Sequence, residues 1–156
     1  MLIQLISVGR KFAAWTMVAY EEYAKRLQSD CRMQLCEIPT SKRQKTTTIA
    51  RCISDEGDKM LALIPPQAHV VALDEKGESW STLQLSKQLE RWQQNTPLIS
   101  LLIGGPDGLD PRCMARAQQV WSLSPLTLPH PFVKIIVAEQ IYRASSILKG
   151  HPYHRG

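Results

Sequence analysis

An α/β domain built on a largely parallel sheet is predicted by three features of this 156-residue chain. Short β-rich runs alternate with longer stretches of helical period. One run, Leu98 to Ile103 (LISLLI), is apolar without interruption, as in strands covered on both faces. No internal repeat, low-complexity tract or linker divides the chain, so residues 1–156 read as one domain. With 44% hydrophobic and 21% charged residues, such a domain buries roughly 70% of its unfolded-chain surface.

Leu2 to Val8 (LIQLISV) reads as the first strand, closed by Gly9. Ala13 to Leu27 follows with Trp15, Val18, Ala19 and Tyr23 at helical spacing. Met33 to Ile38 is a second strand stopped by Pro39, and the basic, polar SKRQKTTT loop leads into a helix from about Thr48 to Ile64 that ends at Pro65-Pro66. His69 to Leu73 is the third strand, DEKGES a turn, and Ser81 a candidate cap for a helix from Thr82 to about Gln94. The Leu98–Ile103 strand breaks at Gly104-Gly105-Pro106-Asp107-Gly108. A helix from Pro111 to about Val120 follows, with proline at a tolerated first-turn position. Leu123 to Leu128 (LSPLTL) is a fifth strand or an extended loop, because Pro125 cannot donate a ladder hydrogen bond. Pro131 opens a long helix to Lys149, ended by Gly150.

Charge and composition narrow the function classes. Nothing approaches the 18 or so consecutive apolar residues of a membrane span. Met1 to Val8 is short, with no basic lead, so it does not read as a secretory signal, and a cytoplasmic protein is expected. Residues 1–52 carry a balance of +5, residues 53–110 of −5 and residues 111–156 of +5. If the two basic ends meet, they form a face suited to a polyanion; solvated faces are also uneven by chance. Cys31, Cys36, Cys52 and Cys113 form no C-x-x-C pair, and with the four histidines they make no zinc-spaced cluster, so no metal site is expected.

In open α/β sheets, ligands settle beyond the carboxyl ends of the strands, and three loops there stand out. Gly104–Gly108 lets a backbone approach a ligand closely, although it matches neither G-x-G-x-x-G nor G-K-[ST] and, taken alone, a tight structural turn is the commoner explanation. Leu73-Asp74 ends the third strand, where Asp74 could accept a hydroxyl or simply cap a turn. LSPLTLPHP (Leu123 to Pro131) holds three prolines in nine residues, a poor strand but a rigid ligand wall. On the last helix, Glu139 and Arg143 are spaced for an ion pair. The stripe Val133, Ile136, Val137, Ile141, Ala144 and Leu148 suits core or a subunit contact. The terminal HPYHRG gathers two histidines, a tyrosine and an arginine, a set able to stack a base, hold a phosphate and move a proton.

Together, ISVG (Ile6–Gly9), EIP (Glu37–Pro39), QLERW (Gln88–Trp92), IGGPDGL, WSLSPLTLPHPFVKIIVAEQIYRA and the terminal HPYHR resemble the SPOUT-class large-subunit ribosomal RNA methyltransferase H family over the whole chain. Each motif alone is weak; the combination is specific. The resemblance implies a parallel-sheet SPOUT methyltransferase fold whose C-terminal third is threaded as a trefoil knot, an exception to unknotted chains. It implies an S-adenosylmethionine-dependent enzyme that methylates N3 of a pseudouridine in 23S rRNA of the assembled 70S ribosome. It also implies a homodimer in which the tail of one subunit completes the active site of the other. Family cofactor contacts carry over to Leu73, Gly104, Leu123, Ser124, Pro125, Leu126, Thr127 and Leu128. Pro125 stands where the family carries alanine, so a contact through a backbone N–H is lost there while a carbonyl or packing contact survives.

N3 of pseudouridine becomes a good nucleophile only as its proton leaves, so a base or a cation must be near. His154 is the first candidate base, with Tyr153 stacking and Arg155 holding a phosphate or the base carbonyl; Glu139 is the weaker alternative base. The rival class is a non-catalytic RNA- or nucleotide-binding α/β module that uses the same basic ends and glycine loop without S-adenosylmethionine. A flavodoxin-like electron carrier fits the basic charge poorly.

Overall fold

The computed structural model describes residues 1–9, 13–27 and 31–155. Its elements are β1 (Leu2–Val8), α1 (Ala14–Ala24), β2 (Arg32–Ile38), α2 (Ile49–Leu63), β3 (His69–Ser79), α3 (Thr82–Asn95), β4 (Leu98–Ile103), α4 (Pro111–Arg116), β5 (Gln119–Ser122), α5 (His130–Leu148) and a 3₁₀ turn at Pro152–Arg155. The five strands form one sheet in the order β2-β1-β4-β3-β5, and every neighbouring pair is parallel. Among the described residues, no helix is long and apolar enough to cross a membrane.

The pleat sorts the strand residues into two cores. Ile3, Leu5, Val71, Ile99 and Leu101 face one side, where α1, α3 and α5 supply Tyr20, Leu85, Leu89, Trp92, Val137, Ile141 and Ala144. Ile6, Val8, Val70 and Leu102 face the other, packed on Met60 of α2 and Cys113 of α4. The buried run of β4 is thus covered on both faces, as its sequence predicts. The middle of the apolar stripe of α5 is core: Val137, Ile141 and Ala144 are fully buried within this chain between α1 and α3, while Val133 and Ile136 are half-buried. Phe132 and Leu148 at its two ends remain exposed.

Capping follows the sequence closely. Ser81 closes a capping box on α3 with Gln84, its hydroxyl accepting the Gln84 N–H at 3.1 Å. Thr48 Oγ1 accepts the Arg51 N–H to start α2, and α5 ends at Gly150 with φ +67°.

Two stretches differ from the expectation. The DEKGES segment is not a turn beyond β3 but part of it. Leu73 and Glu78 both register with Trp121, so the residues between them bulge out of the ladder while the strand resumes to Ser79. The stacking of Trp80 on Trp121 at 5.3 Å anchors that resumed end. The fifth strand lies at Gln119–Ser122, overlapping the end of the stretch read as a helix, and Leu123 to Leu128 is a loop. The helix stops early because Ala117 turns extended, and Gln118 docks on the β3 edge, its N–H donating to the Val70 carbonyl (2.9 Å) and its side-chain oxygen accepting the Val70 N–H (2.7 Å). An unpaired sheet edge outweighed local helix propensity.

Candidate active site

The carboxyl ends of β3, β4 and β5 converge on a cavity of ≈ 420 Å³. Leu73 to Lys76 form one wall, the Gly104–Leu109 loop a second, and the loop after β5 a third, with His130 and Val133 of α5 closing the base. Seven of the eight predicted contact residues line it: Leu73, Gly104, Leu123, Ser124, Leu126, Thr127 and Leu128. Pro125 is exposed and is not part of the lining.

Each wall has a local cause. At Gly104, a Cβ would lie 2.6 Å from the Gly108 carbonyl carbon and 2.7 Å from the Leu109 nitrogen. The glycine is therefore demanded by its own loop folding back on itself, closed by the Gly108 N–H donating to the Gly105 carbonyl at 3.0 Å. Behind the loop, Glu56 is 3% exposed. Its carboxylate accepts the Ser41 N–H and an Arg43 N–H, both at 2.9 Å, and Arg43 Nε donates to Asp107 of the glycine loop at 2.8 Å. One guanidinium thus ties the basic Ser41–Thr47 segment to the pocket wall. On the opposite side, Thr127 Oγ1 donates to the Glu75 carboxylate at 2.9 Å, and Ser122 Oγ donates to the Glu75 carbonyl at 3.0 Å. These bonds fasten the proline-rich loop to the β3 bulge. Asp74 serves the bulge: its Oδ1 accepts the Lys76 N–H at 2.8 Å.

His130 was not singled out by sequence reading, yet it faces the cavity. Burial pushes its imidazole below the usual value; a backbone hydrogen bond with Gly105 opposes the shift, Lys134 adds to it, and Glu56 opposes it. Its position between Pro129 and Pro131 is the one signal in the sequence that could have marked it. Arg43 and Glu56 lacked even that, because they meet only in the folded chain.

The tail forms a separate cluster. Tyr153 packs on Tyr142 with ring centroids 4.6 Å apart, Arg143 lies 4.9 Å over its ring, and its hydroxyl donates to Glu139 Oε1 at 3.2 Å. Burial and the nearby Glu139 charge push the Tyr153 phenol up to about 12. The expected ion pair is present, Arg143 Nη2 to Glu139 Oε1 at 2.7 Å. Glu139 is thus occupied by Arg143, Gln140 and Tyr153, and it holds the tail rather than facing the cavity. The basic ends do meet, since α1 packs on α5 and Arg26 reaches the Tyr142 and Tyr153 rings. Gly156 lies outside the described residues. Glu139 sits nine residues beyond His130, roughly 14 Å along the helix. Within one chain, Tyr153, His154 and Arg155 are therefore not brought to the cavity that their own loops build.

A parallel α/β sheet whose ligand-sized cavity is walled by the loops after its last strands defines a class of cofactor-binding domains. The family model described as "Predicted SPOUT methyltransferase" matches residues 1–154, and the chain belongs to that family. It is 54% identical over 155 residues to the ribosomal RNA large subunit methyltransferase H of Marinomonas sp. (strain MWYL1), covering 99% of this chain and 100% of the relative. The protein of the same name from Thioalkalivibrio sulfidiphilus is also 54% identical, over 99% of each chain. Among solved structures, a methylase-family protein of Haemophilus influenzae superposes with a TM-score of 0.57 at 10% identity, over 97% of this chain and 69% of that one. A Legionella pneumophila methyltransferase with bound SAM superposes at 0.53 and 12% identity, over 93% and 66%. These two likenesses concern the fold.

Proposed function

We propose that this protein is an S-adenosylmethionine-dependent methyltransferase acting on N3 of a pseudouridine in 23S rRNA of the assembled ribosome. The observation that carries the reading is the cavity, which gathers Leu73, Gly104 and the Leu123–Leu128 loop, far apart in sequence, into one wall. Near-full-length relatives bearing the ribosomal RNA methyltransferase name support the substrate class. The residues fit the group: ≈ 420 Å³ lies within the usual range for a small-molecule site. Apolar Leu73, Ile103, Trp121, Leu126 and Val133 can take an adenosine face, while glycine backbone and Ser124 offer polar contacts.

When bound, the cofactor supplies an electrophilic methyl on a sulfonium. The chain supplies orientation and a mostly apolar wall. His154 accepts the N3 proton, Tyr153 stacks on the base, and Arg155 holds a phosphate or a carbonyl oxygen. Because each tail packs on its own α5, away from its own cavity, these groups serve the site of a second subunit in a homodimer. The exposed Trp15–Phe132 pair, with ring centroids 5.6 Å apart beside the cavity end of α5, offers apolar surface for that contact. Threading of the C-terminal third as a trefoil knot belongs to the same reading, supported by the family match over residues 1–154. A ribosomal substrate places the enzyme in the cytoplasm.

The test is calorimetry with S-adenosylmethionine followed by methyl transfer to undermethylated 70S ribosomes, with the product nucleoside identified by mass. Binding without transfer to any ribosomal RNA would favour the non-catalytic binding module instead.

A further inference from the structure

Residues 38–54 carry four Lys/Arg and no Asp/Glu, and this stretch runs against the outer side of the glycine loop. Glu56 backs that loop so closely that a Cβ on Gly105 would lie 2.9 Å from its Oε1. Arg43 bridges from Glu56 to Asp107 of the same loop. The chain between β2 and α2 has no regular secondary structure, yet its backbone is held at several points. The Ser41 N–H donates to Glu56 at 2.9 Å, the Lys42 carbonyl accepts the Cys52 thiol at 3.6 Å, and the Thr47 N–H donates to the Gln44 carbonyl at 3.0 Å.

Of the four cations, Arg43 is engaged inward by two carboxylates. Lys42, Lys45 and Arg51 are exposed, and among the described residues none of the three makes an ion pair. The fold gains nothing from their charge. Arg51 stands in the first turn of α2, where positive charge opposes the helix dipole and no acidic residue offsets it. The contact between α1 and α5 is different, because Arg26 pairs with Glu22 and Arg143 with Glu139. Charge is also uneven across the cavity. The wall opposite the glycine loop carries Asp74 and Glu75 against one cation, Lys76. A polyanion whose nucleotide enters the cavity is therefore repelled on the β3 side and attracted on the side of Lys42 and Lys45.

We propose that Lys42, Lys45 and Arg51 form a surface that holds the phosphate backbone of the ribosomal RNA beside the cavity. The proposal rests on the ribosomal RNA reading above and adds to it the place where the chain grips its substrate. Such contacts fix the position of a nucleic acid without reading its sequence, so these are positioning residues. Arg43 acts through the backbone it holds: by tying the stretch to Asp107, it sets the phosphate-binding surface at a fixed offset from the glycine loop.

The experiment measures kcat and KM for methyl transfer to undermethylated 70S ribosomes over a range of salt, with Tm and calorimetric affinity for S-adenosylmethionine in parallel. Wild type is compared with Lys42→Ala/Lys45→Ala/Arg51→Ala and with the charge-conserving Lys42→Arg/Lys45→Arg/Arg51→Lys. A control, Arg32→Ala/Lys87→Ala/Arg91→Ala, removes the same charge from the amino end of β2 and from exposed positions of α3. The alanine triple should raise KM about tenfold and lower the slope of log KM against log salt by about 2–3, as expected for three lost phosphate contacts. Its kcat, Tm and cofactor affinity should stay near wild type, since the three side chains are exposed and unpaired. The charge-conserving variant and the control should keep KM within about threefold of wild type. An unchanged KM in the alanine triple overturns the proposal. So does an equal rise in the control, which makes the effect one of net charge alone. A rise in KM that the charge-conserving variant shares, or that comes with a fall in Tm or cofactor affinity, makes the segment a structural element and also overturns it. Wild-type protein that transfers no methyl to ribosomes overturns the substrate reading itself, whereas active wild type with an unaffected alanine triple overturns this surface alone.

Discussion

Removing the Arg43 side chain should be among the most costly single changes outside the core. Glu56 is almost fully inaccessible, its side chain 4% exposed against 26% for Arg43, and the two meet at 2.9 Å. In Arg43→Ala, the carboxylate keeps the Ser41 N–H but loses its counter-charge. Breaking a buried pair costs about 3–5 kcal/mol; the partial exposure of Arg43 lets water reach the stranded charge, so about 2–3 kcal/mol is expected. The assay is urea unfolding at pH 7 and fixed protein concentration. Adding Glu56→Gln in the Arg43→Ala background should recover at least half of the loss, because the charge that lacks a partner is gone. Affinity for S-adenosylmethionine should fall with the single variant as well, since Asp107 and the glycine loop lose their tether. A single variant within about 0.5 kcal/mol of wild type, or a double variant weaker than the single one, would refute the clamp.

Gly104→Val should lower stability and abolish cofactor binding together, because the new side chain meets its own loop backbone before it meets any ligand; thermal melts and calorimetry read both, and a stable variant that cannot bind would instead place the clash on the cofactor. Deleting residues 151–156 should leave cofactor affinity within a few-fold while turnover on 70S ribosomes collapses, and His154→Ala should cost about 10²–10⁴-fold in turnover if it is the base; near-normal turnover by the truncated chain would remove the tail from catalysis. The Arg112 guanidinium beside Asp110 holds that carboxyl below the usual carboxylate range. A depressed folded-state value stabilises the fold above the ordinary pKa of about 4 and is lost as pH falls below it. Asp110→Asn should therefore flatten the acid limb of a stability–pH curve, and Asp110→Ala should additionally lose about 1–2 kcal/mol of helix capping; an unchanged acid limb in both would exclude Asp110 as its source.

Much of the chain was legible from residue order alone, because the signals concerned are local. The apolar runs of β1, β2 and β4, the Ser81 cap, the Pro65-Pro66 stop and the Gly150 terminus depend on neighbours within a few residues. So did the Glu139–Arg143 pair, one helical turn apart. Seven of the eight residues that family resemblance names as cofactor contacts line one cavity, because the loops that carry them converge at one end of the sheet. Tertiary structure decided the remainder. Gln119–Ser122 is a strand because the edge of β3 needed hydrogen-bond partners, a demand that no window of sequence around Val120 contains. DEKGES carries turn residues, yet the strand resumes beyond the bulge, where Trp80 stacks on Trp121. Whether the α5 stripe met core or a second subunit could not be read from its spacing; the fold buries Val137, Ile141 and Ala144 between α1 and α3 and leaves Leu148 exposed. Glu56 and Arg43 gained their roles from charges and a backbone donor brought together from distant segments, an arrangement that exists only once the chain has closed around the buried carboxylate.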